Sequence, residues 1–238
     1  MHRFYAPAER FADRSVSLDV DETHHLRDVL RLHAGDEVSV FDGAGREFWC
    51  VVREIKKRSS VLDIAEQTKP TSPESPFQIT LAATVVNGEK YDLVIQKAVE
   101  LGVVNFVPLY TARCEVKLKD AIKRVGRWRR IAMEATKQCG RAKLMDISEP
   151  MTFNSLIAAD NRRLILFSER DGGKLKALNG EESITIVIGP KGGWDDAELD
   201  AGRSNGVTIV TLGGRILRAE TAAIAITAIL QHRFGDLN

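Results

Sequence analysis

The 238-residue chain is short of cysteine, of net charge and of long apolar runs, and each shortage closes off a class of protein. Its three cysteines, Cys50, Cys114 and Cys139, are odd in number, far apart and without a CxxC pair, so neither a disulfide framework nor a zinc site is expected. No apolar stretch approaches the roughly 18 to 20 residues of a membrane helix. The N-terminus, MHRFYAPAERFADR, carries charge throughout, where a secretion signal has an apolar centre. A cytoplasmic location is the expectation. The usual nucleotide motifs are missing too. There is no GxxxxGK[ST], and no strand runs into GxGxxG with an acid about 20 residues on, so ordinary ATP and dinucleotide sites are disfavoured. No Ser/His/Asp or Cys/His set has a defensible spacing. His24, His25 and His33 do not amount to a metal site: adjacent histidines point different ways on a helix, and no carboxylate or thiol completes a set.

What is present is uneven. Net charge is only +1, yet Arg113 to Lys143 holds eleven Lys or Arg against three acids, a local excess of eight positive charges. Such a stretch in a near-neutral protein points to a polyanionic partner at one face, with Lys123, Arg127, Arg130 and Arg141 as candidate contacts. A solvated basic helix fits the charge equally well. Arg3 and Arg10, with Arg14, are further candidates near the N-terminus.

Residues 1–70 read as a small β unit, a compact barrel or sandwich. Strands are expected near Phe4, at Val38–Phe41, Glu47–Ile55 and Val61–Ala65, with a helical piece at His24–Leu32 and a hairpin turn at Asp42–Gly45. A proline-rich linker follows, with the boundary set at 71–76. From 77 to 238 strands and helices alternate, and the apolar strands are continuous, as in a parallel sheet buried on both faces. Helices are expected at Glu89–Leu101, Leu118–Gly140, Asp195–Ser204 and Ala219–Phe234.

Three strands run into glycine: Ser168–Gly173, Gly189–Trp194, and Gly213-Gly214-Arg215. Ligands of such sheets gather at the carboxyl ends of strands, and glycine lets backbone approach them closely. The last segment adds two arginines and Glu220 in front of a helix, Ala222–Leu230, that is apolar nearly all round and therefore expected to be covered on both sides.

The segments LGGRILRAETA (212–222), IGPKGGW (188–194) and QKAVELGV (96–103), with RWRRIAMEATKQCGR (127–141), HHLRDVLRL and FDGAG, make the chain similar to the RsmE-type 16S ribosomal RNA uridine N3-methyltransferases of the SPOUT class. The resemblance implies an α/β SPOUT-type parallel sheet with a C-terminal trefoil knot, preceded by a PUA-like RNA-binding β-barrel. It implies a homodimer acting on 16S ribosomal RNA, within the small subunit, with S-adenosyl-L-methionine as cofactor. By that resemblance Phe167, Ser168 and Glu169 form one wall of the cofactor site; Ile188, Gly189, Gly192 and Gly193 a second; Leu212, Gly213, Ile216 and Leu217 surround the adenine. Arg215 and Arg218 are candidates for stabilising a uracil anion, and Glu220 for orienting an arginine or the base. Two positions depart from the family pattern. Lys191 replaces a glutamate and is expected to face solvent or RNA, and Met145 stands where a proline is common. A SPOUT enzyme acting on ribose 2′-O or guanine N1, a non-catalytic ribosome-associated RNA-binding protein, and a phosphate-handling enzyme using GPKGG as an anion nest are the alternatives.

Overall fold

A computed structural model describes residues 1–159, 163–175 and 182–237. The chain divides into two compact units, Met1–Glu74 with Thr136–Leu144, and Ser75–Ala135 with Met145–Asn238.

The first unit is one six-stranded sheet: β1 (His2–Tyr5), β2 (Phe11–Ala12), β3 (Ser15–Leu18), β4 (Glu37–Phe41), β5 (Glu47–Ile55) and β6 (Ser60–Thr68), in the order β1-β4-β5-β6-β3-β2. β1 runs parallel to β4 and the other pairings are antiparallel. Phe4, Leu18, Leu26, Val38, Val40, Cys50 and Leu62, all fully buried, are its core. The β4–β5 turn closes on Asp42, whose carboxylate accepts from the backbone N–H of Ala44 (2.8 Å) and Arg46 (3.0 Å). The helical piece differs from expectation at both ends. Helix α1 (Val20–His24) starts early because Asp19 caps it, accepting from Glu22 N–H at 2.9 Å, and a π-turn over His25–Val29 follows.

Thr136–Leu144 belongs to this unit because charged groups hold it there. The Arg3 guanidinium donates to the carbonyls of Thr136 (3.1 Å), Lys137 (2.8 Å) and Arg141 (2.9 Å) and pairs with Glu47 at 2.9 Å. Burial pushes the Glu47 carboxyl up, but hydrogen bonds from Arg3, Ser39 and Thr71 hold it below its ordinary value. Lys137 pairs with buried Glu22. Arg141, 3% exposed, pairs with Glu74 at 2.6 Å. Two expected RNA contacts are therefore corrected: Arg3 and Arg141 spend their guanidinium groups inside the unit, where a buried cation must be paired.

The second unit holds a seven-stranded sheet, parallel throughout. Its strands are β7 (Gln78–Thr84), β8 (Asn105–Tyr110), β9 (Asp146–Ile147), β10 (Met151–Thr152), β11 (Arg163–Phe167), β12 (Ser183–Ile188) and β13 (Thr208–Val210). The order is β10-β8-β7-β12-β11-β13, with β9 also beside β8. The helices are α2 (Glu89–Glu100), α3 (Leu118–Ile122), α4 (Val125–Cys139), α5 (Phe153–Ala159), α6 (Asp196–Ser204) and α7 (Ala219–Phe234). The single helix expected over Leu118–Gly140 is broken at Lys123-Arg124. Val125 and Gly126, both weak helix formers, sit at the restart, which buries Val125, Trp128, Ala132 and Ala135 along one face. Met145 is buried at 4% exposure. Helix α7 packs on α2, β7 and β12. Ala223, Ile226, Thr227 and Leu230 are buried, whereas Ile229 is 41% exposed, so within this chain the apolar helix is covered on one side only. Among the described residues no helix is long and apolar enough to cross a membrane.

Candidate functional site

β12, β11 and β13 lie side by side, so the three glycine-bearing segments that follow them meet at one end of the sheet. They enclose a cavity of about 490 Å³, within the roughly 300–1,000 Å³ of small-molecule sites. All eleven residues assigned above to the cofactor line it, as do Arg215 and Arg218. Phe167, Ser168 and Ile188 are buried walls, while Ile216, 84% exposed, stands at the rim.

The loops are locked to one another by backbone. Ser168 N–H donates to Val210 C=O, Gly173 N–H to Ile209 C=O and Thr211 N–H to Gly173 C=O, each at 3.0 Å, and Thr211 Oγ1 accepts from Gly172 N–H at 3.0 Å. The second loop joins through Trp194, whose indole N–H donates to Phe167 C=O at 2.9 Å, and through Arg170, which donates to Trp194 C=O at 2.9 Å. Gly189 is obligatory here, since a Cβ on it would fall 2.6 Å from the Trp194 indole nitrogen. From the far side Arg113 donates to Gly192 C=O (3.2 Å), and Asp195 and Glu198 close a capping box at the start of α6. Trp194 is buried against Phe153, ring centroids 5.2 Å apart. Trp194→Phe leaves the Phe167 carbonyl without its donor and is expected to cost about 1–3 kcal/mol. Thermal unfolding checks this, and an unchanged Tm would show that the indole N–H is dispensable.

Glu220 does not line the cavity. Its carboxylate is 2.9 Å from the Lys90 ammonium in the first turn of α2, a contact that, with Arg218 nearby, holds the Glu220 carboxyl below its ordinary value despite partial burial. It is therefore ionised at neutral pH and engaged. Because the folded-state value is depressed, the stability it contributes is present above the unfolded carboxylate value and lost as pH falls through the folded one. Lys90→Met is expected to move the Glu220 titration upward, read by carboxyl-carbon NMR; an unmoved titration would remove Lys90 as its cause. The guanidinium groups of Arg215 and Arg218 make no hydrogen bond or ion pair with a described residue, and both residues are exposed.

Lys191 is 72% exposed on its side chain, with its ammonium 3.5 Å from Glu115. Among the remaining basic candidates, Arg10, Lys123 and Arg130 are exposed, and Arg127 pairs with Asp92 at 2.5 Å. Among the described residues no group of His, Cys, Asp or Glu is arranged to hold a metal. Sequence reasoning missed Trp194, Thr211, Arg113 and Lys90 as site residues. A lone aromatic beside a glycine pair and a threonine closing an apolar strand are legible signals for the first two. Arg113 and Lys90 find their partners only through long-range folding.

The residues fit S-adenosylmethionine. Ile188, Leu212, Ile216 and Leu217 are an apolar lining suited to an adenine, loop glycines expose backbone donors and acceptors, and Glu169 supplies one carboxylate for a cationic group.

A family model described as an RNA methyltransferase domain matches residues 73–231, and one described as an RNA methyltransferase PUA domain matches 18–65. Fold and site thus define a two-part RNA methyltransferase. The Aquifex aeolicus ribosomal RNA small subunit methyltransferase E is 33% identical, over 98% of this chain and 100% of that protein. The crystal structure of a ribosomal RNA small subunit methyltransferase E from Neisseria gonorrhoeae, bound to S-adenosyl methionine, is 32% identical with a TM-score of 0.90, covering 100% of both chains. A Legionella pneumophila methyltransferase solved with bound SAM is 30% identical, with a TM-score of 0.90 and coverage of 99% and 98%. The chain belongs to the ribosomal RNA small subunit methyltransferase E family.

Proposed function

We propose that this protein transfers a methyl group from S-adenosylmethionine to N3 of a uridine in 16S ribosomal RNA. The observation that carries the reading is one cavity, at the carboxyl ends of three adjacent parallel strands, lined by eleven cofactor-type residues and by two arginines whose guanidinium groups make no hydrogen bond or ion pair with a described residue. When bound, S-adenosylmethionine supplies a methyl group already activated on a sulfonium. The chain's task is to hold cofactor and base in line, a contribution of up to about 7–11 kcal/mol. Uracil N3 attacks only as its proton is lost to water, so negative charge builds on N3 and on the two exocyclic carbonyl oxygens that flank it. Arg215 and Arg218 are placed to stabilise that charge, and Glu220, ionised beside Lys90, biases the orientation of Arg218.

The exposed Lys123 and Arg130, on a stretch rich in cations, support contact with RNA in the second unit. A homodimer through α7 is part of the reading, supported by exposed Ile229 and by Leu93, 42% exposed on the adjoining α2. So is a trefoil knot. It is supported by the return of α7 from the edge strand β13 across β12 and β7, and by the backbone ties between the first and third loops. Action on the small subunit in the cytoplasm completes the reading.

The test is methyl transfer to small subunits, and separately to naked 16S RNA, from cells lacking the modification, followed by nucleoside mass spectrometry. 3-Methyluridine is expected. A 2′-O-methylated nucleoside or 1-methylguanosine would replace the assignment of position, and no product on either substrate would overturn it.

A further inference from the structure

The cavity at the strand ends carries more positive charge than its cofactor can use. Among the described residues that line it are three cations, Lys191 on the second loop and Arg215 and Arg218 on the third, against one carboxylate, Glu169. S-adenosylmethionine at neutral pH bears an ammonium, a sulfonium and a single carboxylate, so it is itself a net cation. Positive charge around its site repels it and attracts a polyanion. Arg215 and Arg218 face the charge that builds on the uracil, which leaves the ammonium of Lys191 without a task in cofactor binding or in the chemistry.

The acids that follow Lys191 in the chain are already engaged. Asp195 pairs with Arg113 at 3.3 Å and Asp196 with Arg170 at 2.8 Å, while Glu198 accepts from the backbone N–H of Ala112 (2.8 Å) and of Asp195 (3.2 Å). Among the described residues Lys191 pairs with Glu115, at 3.5 Å, and both side chains are open to water. An exposed pair of that length holds its partners weakly, so a stronger anion can displace the carboxylate. The turn beneath the lysine is nevertheless fixed. Gly193 N–H donates to Pro190 C=O at 3.0 Å, and Arg113 donates to Gly192 C=O at 3.2 Å. A mobile ammonium thus stands on a rigid base beside the cavity.

We infer that Lys191 binds a phosphate of the RNA strand beside the uridine being methylated, and that Glu115 is the internal anion which this phosphate displaces. The inference rests on the reading of the chain as a methyltransferase acting at uridine N3. That nitrogen lies on the Watson–Crick edge of the base, so the base must be turned out of any stack or pair to enter the cavity. Its flanking phosphates then come to the mouth. Lys191, on a different loop from the two arginines, grips the strand there while Arg215 and Arg218 face the base. The phosphate contact is the same before and during transfer, so it adds affinity for the substrate strand and leaves the chemical step alone. An acidic protein segment seated at the same place would obstruct the nucleotide.

The test compares wild type with Lys191→Gln, Glu115→Gln and the double variant. Binding to naked 16S RNA and to small subunits lacking the modification is measured between about 50 and 200 mM salt, alongside steady-state methylation. Lys191→Gln is expected to reduce the slope of log K against log salt by about 0.7 to 1, and to raise KM for the substrate with kcat unchanged. Glu115→Gln removes the competing anion and is expected to tighten binding by up to about fivefold. The double variant should bind like Lys191→Gln, because the carboxylate acts only through the lysine. A merely structural pair predicts instead that the two single variants lose alike. Wild-type slope and KM in Lys191→Gln overturn the inference. So does a loss confined to assembled subunits with naked RNA unaffected, which would identify a ribosomal protein as the partner. Calorimetry should find one affinity for S-adenosylmethionine in all four proteins; tighter cofactor binding by Lys191→Gln with unchanged RNA binding would show that the ammonium acts on the cofactor, and would also overturn it. Wild type that binds RNA without methylating it counts against the proposed function, while the salt series still decides the role of Lys191. Failure of wild type to bind RNA in either form overturns both.

Discussion

Arg218→Ala is expected to lower kcat for methyl transfer by about 10²- to 10³-fold, the usual consequence of removing one preorganised donor from a developing anion. The arginine lines the cavity and is exposed, and its guanidinium makes no hydrogen bond or ion pair with a described residue, so its donors are available to substrate. Its field is already felt by Glu220, whose ionised form it favours together with Lys90. Cofactor affinity should change little, because the segment Leu212–Leu217 and the backbone ties of the three loops are untouched. Arg218→Lys keeps the charge but not the planar fork, and should recover only part of the rate. The measurement is single-turnover methylation at saturating RNA and cofactor, with cofactor binding by calorimetry. Wild-type kcat in Arg218→Ala would remove this residue from the reaction and leave Arg215 as the remaining candidate.

Gly172→Ala should abolish cofactor binding and destabilise the second unit by about 1–3 kcal/mol, the range for forcing extra atoms into a packed site. A Cβ at this position would lie 2.5 Å from both Thr211 N and Val210 C. Those are backbone atoms, so no rotamer change relieves the clash. The first and third loops must separate, and the hydrogen bonds of Gly172 to Thr211 and of Thr211 to Gly173 go with them. The neighbouring Gly173 is the control: a Cβ there meets nothing within 4 Å, and Gly173→Ala should bind cofactor and melt like wild type. Calorimetry with S-adenosylmethionine and thermal unfolding of both variants check the pair. Normal affinity in Gly172→Ala would mean that the two loops need not be in register to form the site.

These two residues also show how far local sequence can be read. Arg218 stands out in the chain because charge in a glycine turn ahead of an apolar helix needs a reason. Gly172 does not, since Gly172 and Gly173 look interchangeable until the strand beside them is known. The same limit explains Arg3 and Arg141. On charge alone they belong with the exposed cations, but tertiary folding brings Arg3 to three carbonyls of a segment more than 130 residues away and buries Arg141 against Glu74. Glu220 reads as a first-turn acid suited to the helix dipole, and only the approach of α2 gives it Lys90.

By itself the sequence determined the longer strands of the second unit, three of its helices and the places where strands give way to glycine, but not the break between α3 and α4, the short strands β9 and β10 or helix α5. Continuous apolar runs, helical periodicity and breaker residues act over a few positions, and they survive any arrangement of the rest. Helix α7 is delimited in the sequence at the same residues, Ala219 and Phe234, that bound it in the structure. Tertiary structure alone decided that β12, β11 and β13 are neighbours, and hence that three separate glycine loops close one cavity. It also decided which cations face water and which are consumed in holding Thr136–Leu144 to the first sheet. Strand order and ion pairing are settled by groups far apart in the chain, and their energies depend on the burial that folding itself creates.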